Sequence, residues 1–327
     1  MILITGGAGY IGSHTTLNFI KNGYDVVIFD NLENGHIETI ETLKKIGNIQ
    51  FFKGDLRNPD DLDTLFKTYQ IDTVIHFAGF IQVEESVQNP EKYYINNIDG
   101  SINLFEAMVK HNVKKIVFSS SAAVYGEPKY TPIDENHPKN PINPYGYTKA
   151  KIEDVLAEYD KNYGIKSICL RYFNVVGADS EIRIGEWHEP ETHLVPNILK
   201  SIFEKSKTFK IFGTDYDTKD GTCVRDYVNV EDLAQAHRLA CIYLNEQNTS
   251  NIFNVGTQEG NSVKEVFEIT EKVTGVKIPL ELAPRRDGDP AKLLANATKA
   301  KEILNWQPTR TLEDSLKTAY LWEKSKH

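Results

Sequence analysis

The sequence has little cysteine, and its three cysteines, Cys169, Cys223 and Cys241, form no C-x-x-C pair. An odd number with such spacing argues against a disulfide framework and against a thiolate zinc site. No apolar run approaches the roughly 18 residues of a membrane-spanning helix, and no basic segment precedes the opening MILIT. We therefore expect a chain in a reducing cytoplasm, without a targeting signal or a membrane anchor.

Positive charge is also scarce, because 37 Lys and Arg stand against 46 Asp and Glu, giving a formal net charge of −9. This balance opposes diffuse attraction to nucleic acid or anionic lipid, and we predict neither partner. A phosphate-bearing ligand would need local arginines and helix N-termini. The nine histidines include no helical pair such as H-E-x-x-H, and we predict no metal site.

Short apolar runs such as ILIT, DVVIFD and DTVIHFAG alternate with segments of helical period through the first half of the chain. Strands that are apolar on both faces are typical of a buried parallel sheet. The pattern predicts an α/β fold with a doubly wound parallel sheet in residues 1–175. Residues 176–327 are predicted to form a smaller, interleaved lobe, with a strand near 251–256 returning to the main sheet.

The segment ILITGGAGYIGSH places Gly6, Gly9 and Gly12 between the first strand and the first helix. Glycines there permit a tight turn and close approach of a pyrophosphate to the helix N-terminus, although a packing role alone is the alternative. Asp30 ends the second strand, where a carboxylate accepts ribose hydroxyls and repels a 2′-phosphate. The predicted cofactor is therefore NAD. Asp55, after the third strand, is placed to meet the adenine or to cap the next helix.

The segment NPINPYGYTKAKIEDVL places Lys149 four residues after Tyr145 and two after Tyr147. Positions i and i+4 share one face of a helix, so only Tyr145 can face the lysine. A nearby cation lowers a tyrosine pKa and would make Tyr145 a general base. Pro144 suits the first turn of that helix. The alternative is an ordinary amphipathic surface pair.

The run FSSSAAVYG ends the fifth strand at the sheet edge where ligands of parallel sheets bind. A serine there can hydrogen-bond a substrate hydroxyl. We prefer Ser121 because it lies furthest from the buried strand, with Ser120 in reserve.

These segments, with YYINN, LRYFNVVGA, DGTCVRDYVNVEDLA and APRRDGDPA, make the chain similar to the extended short-chain dehydrogenase/reductase family over nearly its whole length. Within that family it resembles the enzymes that epimerise UDP-hexoses at C4. The resemblance implies that Tyr145 takes the proton of the 4-hydroxyl while hydride passes to bound NAD. A 4-keto sugar would turn over and accept the hydride on its other face. It also implies that Lys149 binds the nicotinamide ribose, and it implies a homodimer.

The resemblance implies further contacts, from Asn96 to the nicotinamide, from Asn174 and Phe212 to the nucleotide, from Arg225 and Arg286 to the diphosphate, and from Asp289 to the uridine ribose. The alternatives are helix capping for Asn96 and ion pairs with Asp226 or Asp287 for the arginines. Predicted cofactor contacts also include Tyr10, Ile11, Asn31, Leu56, Phe77, Ala78, Gly79, Ser119 and Tyr172. His193 and Leu194 are predicted on the substrate side, although we expect His188 and His193 to be solvated loop residues.

Related enzymes perform other chemistry, and positions 122 and 123 help to distinguish epimerases from dehydratases. Sugar-nucleotide 4,6-dehydratases usually carry an Asp-Glu pair where this chain has Ala122 and Ala123, and methyl groups transfer no protons. A net dehydrogenase and a non-catalytic NAD sensor remain as alternatives.

Two positions depart from the family pattern. Ile81 stands where the family often has a phosphate-binding lysine, which predicts weaker NAD retention. Leu293 stands where a tyrosine often closes the pocket, so we hypothesise activity on N-acetylated UDP-hexoses, with core packing as the alternative.

Overall fold

Strands and helices alternate through the first part of the chain in the computed structural model, which describes residues 1–204, 208–285 and 289–327. In chain order these elements are β1 Ile2–Thr5, α1 Tyr10–Lys21, β2 Val26–Asp30, α2 Ile37–Ile46, β3 Ile49–Lys53, α3 Pro59–Thr68, β4 Thr73–His76, α4 Val83–Gln88, α5 Pro90–Tyr93, α6 Gly100–Lys110, β5 Lys115–Ser121, α7 Pro144–Tyr163 and β6 Lys166–Tyr172.

The remaining elements are shorter on average and include more strand pairs outside the main sheet. They are β7 Asn174–Val176, α8 Leu194–Phe203, β8 Phe209–Phe212, β9 Val224–Asn229, α9 Val230–Gln247, β10 Asn251–Val255, β11 Gly260–Ser262, α10 Val263–Thr274, β12 Leu280–Ala283, β13 Lys292–Leu293, α11 Thr298–Leu304 and α12 Leu312–Ser325. None of the helices in the described ranges is long and apolar enough to cross a membrane.

The main sheet of the described residues has seven parallel strands in the order β10-β6-β5-β4-β1-β2-β3. This order confirms the predicted doubly wound α/β fold. The chain winds outward in opposite directions from β1 and β4, so the loops after these two strands diverge at the carboxyl edge. A crevice at that edge is the usual binding place in such sheets.

Both faces of the sheet are covered, which explains why its strands are apolar at successive positions. Ile2 and Ile4 of β1 lie in one core with α1 and α9 residues such as Leu17 and Leu233, whereas Leu3 lies in a second core on the opposite face. All of these side chains are buried. Burial of each contributes about 1.5–3 kcal/mol relative to exposure.

The smaller lobe is built around β9, which pairs with β7, β11 and β13, while β8 pairs with β12. The chain then leaves this lobe, because α9 packs in the core of the main sheet and β10 pairs in parallel with β6. The segments of the two lobes are therefore interleaved along the sequence.

The helical segment that follows α4 has an irregular internal structure. It begins as α5, continues as a π-helical turn over Tyr94–Asp99 and ends as α6 at Lys110. A π turn contains an additional residue, which rotates the side chains around it, and such turns are frequent at functional sites.

A buried ion pair lies beneath the carboxyl ends of β5 and β6. The Arg171 guanidinium donates to the Glu153 carboxylate at 2.8 and 2.5 Å, and the two side chains are 3% and 2% exposed. Ser120 donates to the same carboxylate at 2.6 Å. Because both charges are removed from water, each is compensated mainly by the other, with Lys139 3.5 Å from the carboxylate and the Tyr125 hydroxyl 3.0 Å from the guanidinium.

We expect Arg171→Met to lower the free energy of unfolding by about 2–4 kcal/mol, since it leaves the buried Glu153 carboxylate with only the Ser120 hydroxyl and the Lys139 ammonium, 3.5 Å away. Adding Glu153→Gln should recover most of this loss because the double variant buries no lone charge. Urea denaturation of the three proteins measures both effects. Lys272→Met, which breaks the exposed pair with Glu313, is the control and should cost less than about 1 kcal/mol. Equal urea midpoints for wild type and Arg171→Met would contradict this account.

Candidate active site

A cavity of about 900 Å³ opens at the carboxyl edge of the main sheet and extends to the smaller lobe. It is lined by nearly all residues predicted from the sequence, namely Gly6, Gly9, Tyr10, Ile11, Gly12, Asp30, Asn31, Asp55, Leu56, Phe77, Ala78, Gly79, Asn96, Ser119, Ser121, Tyr145, Lys149, Tyr172, Asn174, His193, Leu194, Arg225, Asp289 and Leu293. Phe212, at the end of β8, is not among the described residues that line it. Arg286 and Asp287 lie outside the described residues.

The glycine turn leaves room for a ligand at the N-terminus of α1. Gly6 has φ +70°, and a Cβ on Gly12 would stand 2.2 Å from the Gly6 carbonyl oxygen. Gly9 occupies the N-cap position without any side-chain cap, so the first amides of α1 have no partner from a side chain. These amides and the small residues around them fit the pyrophosphate of a dinucleotide.

The carboxylates after β2 and β3 have defined partners. Asp30 is buried and accepts hydrogen bonds from the Ala8 and Leu32 amides at 3.0 and 2.9 Å. Asp55 accepts from Asn31 at 3.0 Å and pairs with Arg57, whose hydrogen bonds lower the Asp55 pKa to about 2.

The alternative role of Asp55 as a helix cap is wrong. Asn58 caps α3 instead, since its side chain accepts from the Asp60 amide. Asp55 therefore stays in the cavity lining as an ionised group between the ends of β2 and β3.

Helix α7 holds Tyr145 and Lys149 in its first two turns. Pro144 is its first residue, as predicted, and Asn143 caps it by accepting from the Gly146 amide at 2.8 Å. Lys149 Nζ lies 5.9 Å from the centre of the Tyr145 ring. The i, i+4 spacing therefore places both side chains toward the same cavity.

Tyr147 points away from this pair. Its side chain is 48% exposed, and its ring contacts that of Tyr94.

Lys149 is buried and donates from Nζ to the Ser119 carbonyl oxygen at 2.8 Å, which fixes α7 against the end of β5.

The protonation of Tyr145 differs from the sequence prediction. Burial raises the pKa of Tyr145, and the Ser121 hydroxyl offsets part of this rise. Burial also lowers the pKa of Lys149 to about 8, although the Glu153 carboxylate raises it. In the protein chain alone, desolvation of the phenolate thus dominates, and the predicted depression of the Tyr145 pKa by Lys149 is absent.

The three serines after β5 have different partners. Ser121 lines the cavity, and its hydroxyl accepts from the Ala123 amide at 3.1 Å. Ser120 is fully buried beneath the cavity and binds Glu153. The Ser119 hydroxyl makes a short hydrogen bond with the Tyr172 hydroxyl. Ser121 is consequently the serine available to a ligand beside Tyr145.

The smaller lobe contributes Arg225 and Asp289 to the cavity. Arg225 Nη1 donates to the carbonyl oxygens of Val224 and Pro290 at 3.0 and 2.7 Å, and Nη2 lies 3.5 Å from Asp289. Asp226 is buried and binds the Thr257 hydroxyl instead, so the proposed Arg225–Asp226 ion pair is wrong.

Three further predicted residues lie on different elements. Asn96 lies within the π-helical turn rather than at a helix start, so its alternative role as a cap is wrong, and it donates to Asn97 at 2.9 Å. Leu293 both lines the cavity and packs against a core cluster that includes Phe173. Asn174 begins β7, beside the end of β6.

Several lining residues were missed from the sequence. Lys92 lies on α5, with Nζ 4.2 Å from the centre of the Phe80 ring and 2.6 Å from Glu85. Glu186 and His188 also line the cavity, and the expectation that His188 is solvated is wrong because its side chain is 16% exposed. No local sequence spacing predicts these positions, which depend on how the loops fold back.

Known proteins resemble the chain over almost its full length. A UDP-glucose 4-epimerase from Lactobacillus helveticus is 50% identical over 325 residues, which cover 99% of this chain and 97% of that relative. This chain belongs to the UDP-glucose 4-epimerase family. The broader family model that matches residues 3–319 is described as GDP-mannose 4,6 dehydratase.

Solved epimerase structures share the fold. The UDP-glucose-4-epimerase from Stenotrophomonas maltophila, with bound NAD and formylated UDP-arabinopyranose, has a TM-score of 0.96 at 39% identity and covers 99% of this chain and 98% of that one. The UDP-Glc/GlcNAc 4-epimerase from Campylobacter jejuni has a TM-score of 0.87 at 45% identity, with 99% of each chain covered. The predicted membership of the epimerase family is confirmed.

Membership of the epimerase family agrees with the lining beside Tyr145. Ala122 and Ala123 both face the cavity there, where a dehydratase would need proton-transferring groups. The name of the broader family model therefore describes a related chemistry on the same fold.

The glycine turn yields a test of the cofactor site in this epimerase-family protein. Gly12→Ala should lower the free energy of unfolding by about 1–3 kcal/mol because its Cβ would overlap backbone. Gly9→Ala should change stability by less than about 1 kcal/mol, since its Cβ would meet only the Gly6 oxygen at 3.4 Å, but it should weaken NAD binding. Thermal unfolding without NAD, followed by NAD titration, separates the two effects. A Gly12→Ala protein as stable as wild type would argue against the tight turn.

Proposed function

We propose that the protein interconverts UDP-glucose and UDP-galactose by reversible, NAD-dependent epimerisation at C4. One observation carries this proposal: Tyr145, Ser121 and Lys149 converge on the cavity that also contains the glycine turn. The absence of carboxylates at Ala122 and Ala123 favours epimerisation over dehydration.

Tyr145 is the group that takes the proton of the sugar 4-hydroxyl. Its pKa is raised by burial in the chain alone, so it needs positive charge nearby to act near neutral pH. Lys149 supplies one fixed ammonium. NAD, when bound, supplies the hydride acceptor and a positively charged ring. Ser121 orients the 4-hydroxyl by hydrogen bonding and offsets part of the desolvation of Tyr145.

The smaller lobe holds the nucleotide while the sugar turns over. The Arg225 guanidinium fits a diphosphate, because its planar fork matches phosphate oxygens and this acidic protein has no diffuse positive field. Asp289 beside it is suited to ribose hydroxyls. The small side chains of Ala122 and Ala123 leave space for a 4-keto sugar to present its other face, so that the hydride would return to that face of C4 while Tyr145 returns the proton to the 4-oxygen.

Tyr145→Phe should reduce the epimerisation rate by about 10²–10⁴-fold, the usual contribution of a general acid–base group. The measurement is conversion of UDP-galactose to UDP-glucose without added NAD, which also separates epimerisation from net dehydrogenation. Tyr147→Phe is the matched control and should keep the wild-type rate, because Tyr147 faces solvent. A Tyr145→Phe protein that retains bound NAD and still epimerises at the wild-type rate would refute this role.

The protein is also proposed to interconvert N-acetylated UDP-hexoses. Leu293 is half-buried at the cavity wall, where it leaves more space than a tyrosine would. The similarity to a UDP-Glc/GlcNAc 4-epimerase supports this specificity. Leu293 also packs against the core cluster that includes Phe173.

Leu293→Tyr should lower kcat/KM on UDP-N-acetylglucosamine at least about tenfold, while activity on UDP-glucose changes little. A tenfold loss corresponds to about 1.4 kcal/mol of transition-state stabilisation. Leu293→Met conserves volume and should keep both activities. If the tyrosine variant loses both activities equally, Leu293 serves packing. Full activity of that variant on the acetylated sugar would eliminate the gatekeeper role.

We further propose a homodimer that works in a reducing cytoplasm. The three cysteines are buried and free of disulfide bonds, which supports a reducing compartment. The family resemblance supports the dimer.

A further inference from the structure

Two histidines and two glutamates of the loop between β7 and α8 meet at the edge of the cavity. One ligand atom from each of Glu186, His188, Glu191 and His193 lies within 4.8 Å of all the others. The Glu186 and Glu191 side chains are only 8% and 3% exposed. The epimerisation chemistry proposed above uses neither carboxylate.

The distances in this group, which we call the loop cluster, are those of a compact coordination shell. His193 Nδ1 lies 2.9 Å from Glu186 Oε1 and 3.1 Å from Glu191 Oε1. His188 Nδ1 lies 3.3 Å from Glu186 Oε1 and 3.8 Å from Glu191 Oε2. Four ligands at the usual zinc bond lengths of about 2.0–2.1 Å are separated by about 3.4 Å in a tetrahedron. Taken to the nearer oxygen of each carboxylate, which for Glu191 is Oε1 toward His193 and Oε2 toward His188, the observed spacings bracket that value.

A second observation concerns His188 Nδ1. This nitrogen is buried and has no partner in good hydrogen-bond geometry in the described structure, although Glu186 Oε1 lies 3.3 Å and Glu191 Oε2 3.8 Å away. A buried polar atom without a hydrogen bond requires a physical explanation, and a bound ion provides one. With neutral imidazoles the loop cluster carries two negative charges, which one divalent cation neutralises.

We propose that the loop cluster binds one Zn²⁺ ion through two imidazole nitrogens and two carboxylate oxygens. Imidazole ligands favour a transition metal over magnesium or calcium. All four ligands come from the protein, which is the arrangement of structural rather than catalytic zinc sites.

The ion would hold the loop against the glycine turn. The His188 ring meets the edge of the Tyr10 ring, with 6.3 Å between their centres, at the start of α1. Trp187, between two of the ligands, stacks on His36 with 3.8 Å between ring centres. A fixed loop would keep both contacts and would thereby cover the end of the cavity at the glycine turn, where the dinucleotide is proposed to bind.

The sequence prediction of no metal site rested on helical spacing, and the loop cluster does not use it. Its ligands follow an E-x-H-x-x-E-x-H pattern in a loop. The competing explanation is a network of two protonated histidines and two carboxylates that binds no metal.

The full-length protein, stripped with a strong chelator and titrated with Zn²⁺ alone against a chromogenic competitor, tests the proposal. Wild type should bind one Zn²⁺ per chain, and His188→Gln should weaken the affinity by more than about tenfold. His111→Gln is the control, because His111 pairs with Asp63 on a remote surface, and it should bind Zn²⁺ as wild type does.

Cobalt substitution gives a second measurement that needs no variant. Co²⁺ in the wild-type protein should show the intense visible bands of a four-coordinate site, and added Zn²⁺ should abolish them. Absence of stoichiometric Zn²⁺ binding, equal affinity in His188→Gln, or a weak six-coordinate Co²⁺ spectrum would each overturn the site. None of these readouts depends on epimerase activity, so they are independent of the proposed function.

Discussion

The hydrogen bond from the buried Lys149 ammonium to the Ser119 carbonyl oxygen joins α7, the helix that carries Tyr145, to the end of β5. It forms because the first turns of α7 bring a long cationic side chain across the end of β5. Removing an ammonium from water is costly, and the environment lowers the Lys149 pKa accordingly. The position of Tyr145, and with it the arrangement of the cavity, depends on this contact.

A buried ion pair next to Lys149 stabilises the same part of the structure. Glu153 lies one helical turn beyond Lys149, and its carboxylate is shared by Arg171 and Ser120. Buried ion pairs of this kind contribute little net stability, but they fix geometry because breaking one leaves a poorly compensated buried charge. The strand ends of β5 and β6 and the inner face of α7 are thereby locked together below the site.

Features set by local spacing could be predicted from the sequence. The glycine turn, Pro144 at the start of α7 and the shared face of Tyr145 and Lys149 all follow from short-range geometry, and so does the parallel sheet. Features set by desolvation or by loop folding could not. The raised pKa of Tyr145 reflects burial, and the position of Phe212 outside the cavity lining reflects how β8 is placed.

The return of β10 to the main sheet has a consequence for how the molecule folds. A chain that ended after β7 would lack both β10 and α9, leaving the edge of β6 unpaired and one sheet face covered only in part. The unpaired edge of β6 would be a template for strand pairing with another molecule. Because the lobe that contains the main sheet is completed only by residues near 255, most of the polypeptide must emerge from the ribosome before that lobe can close.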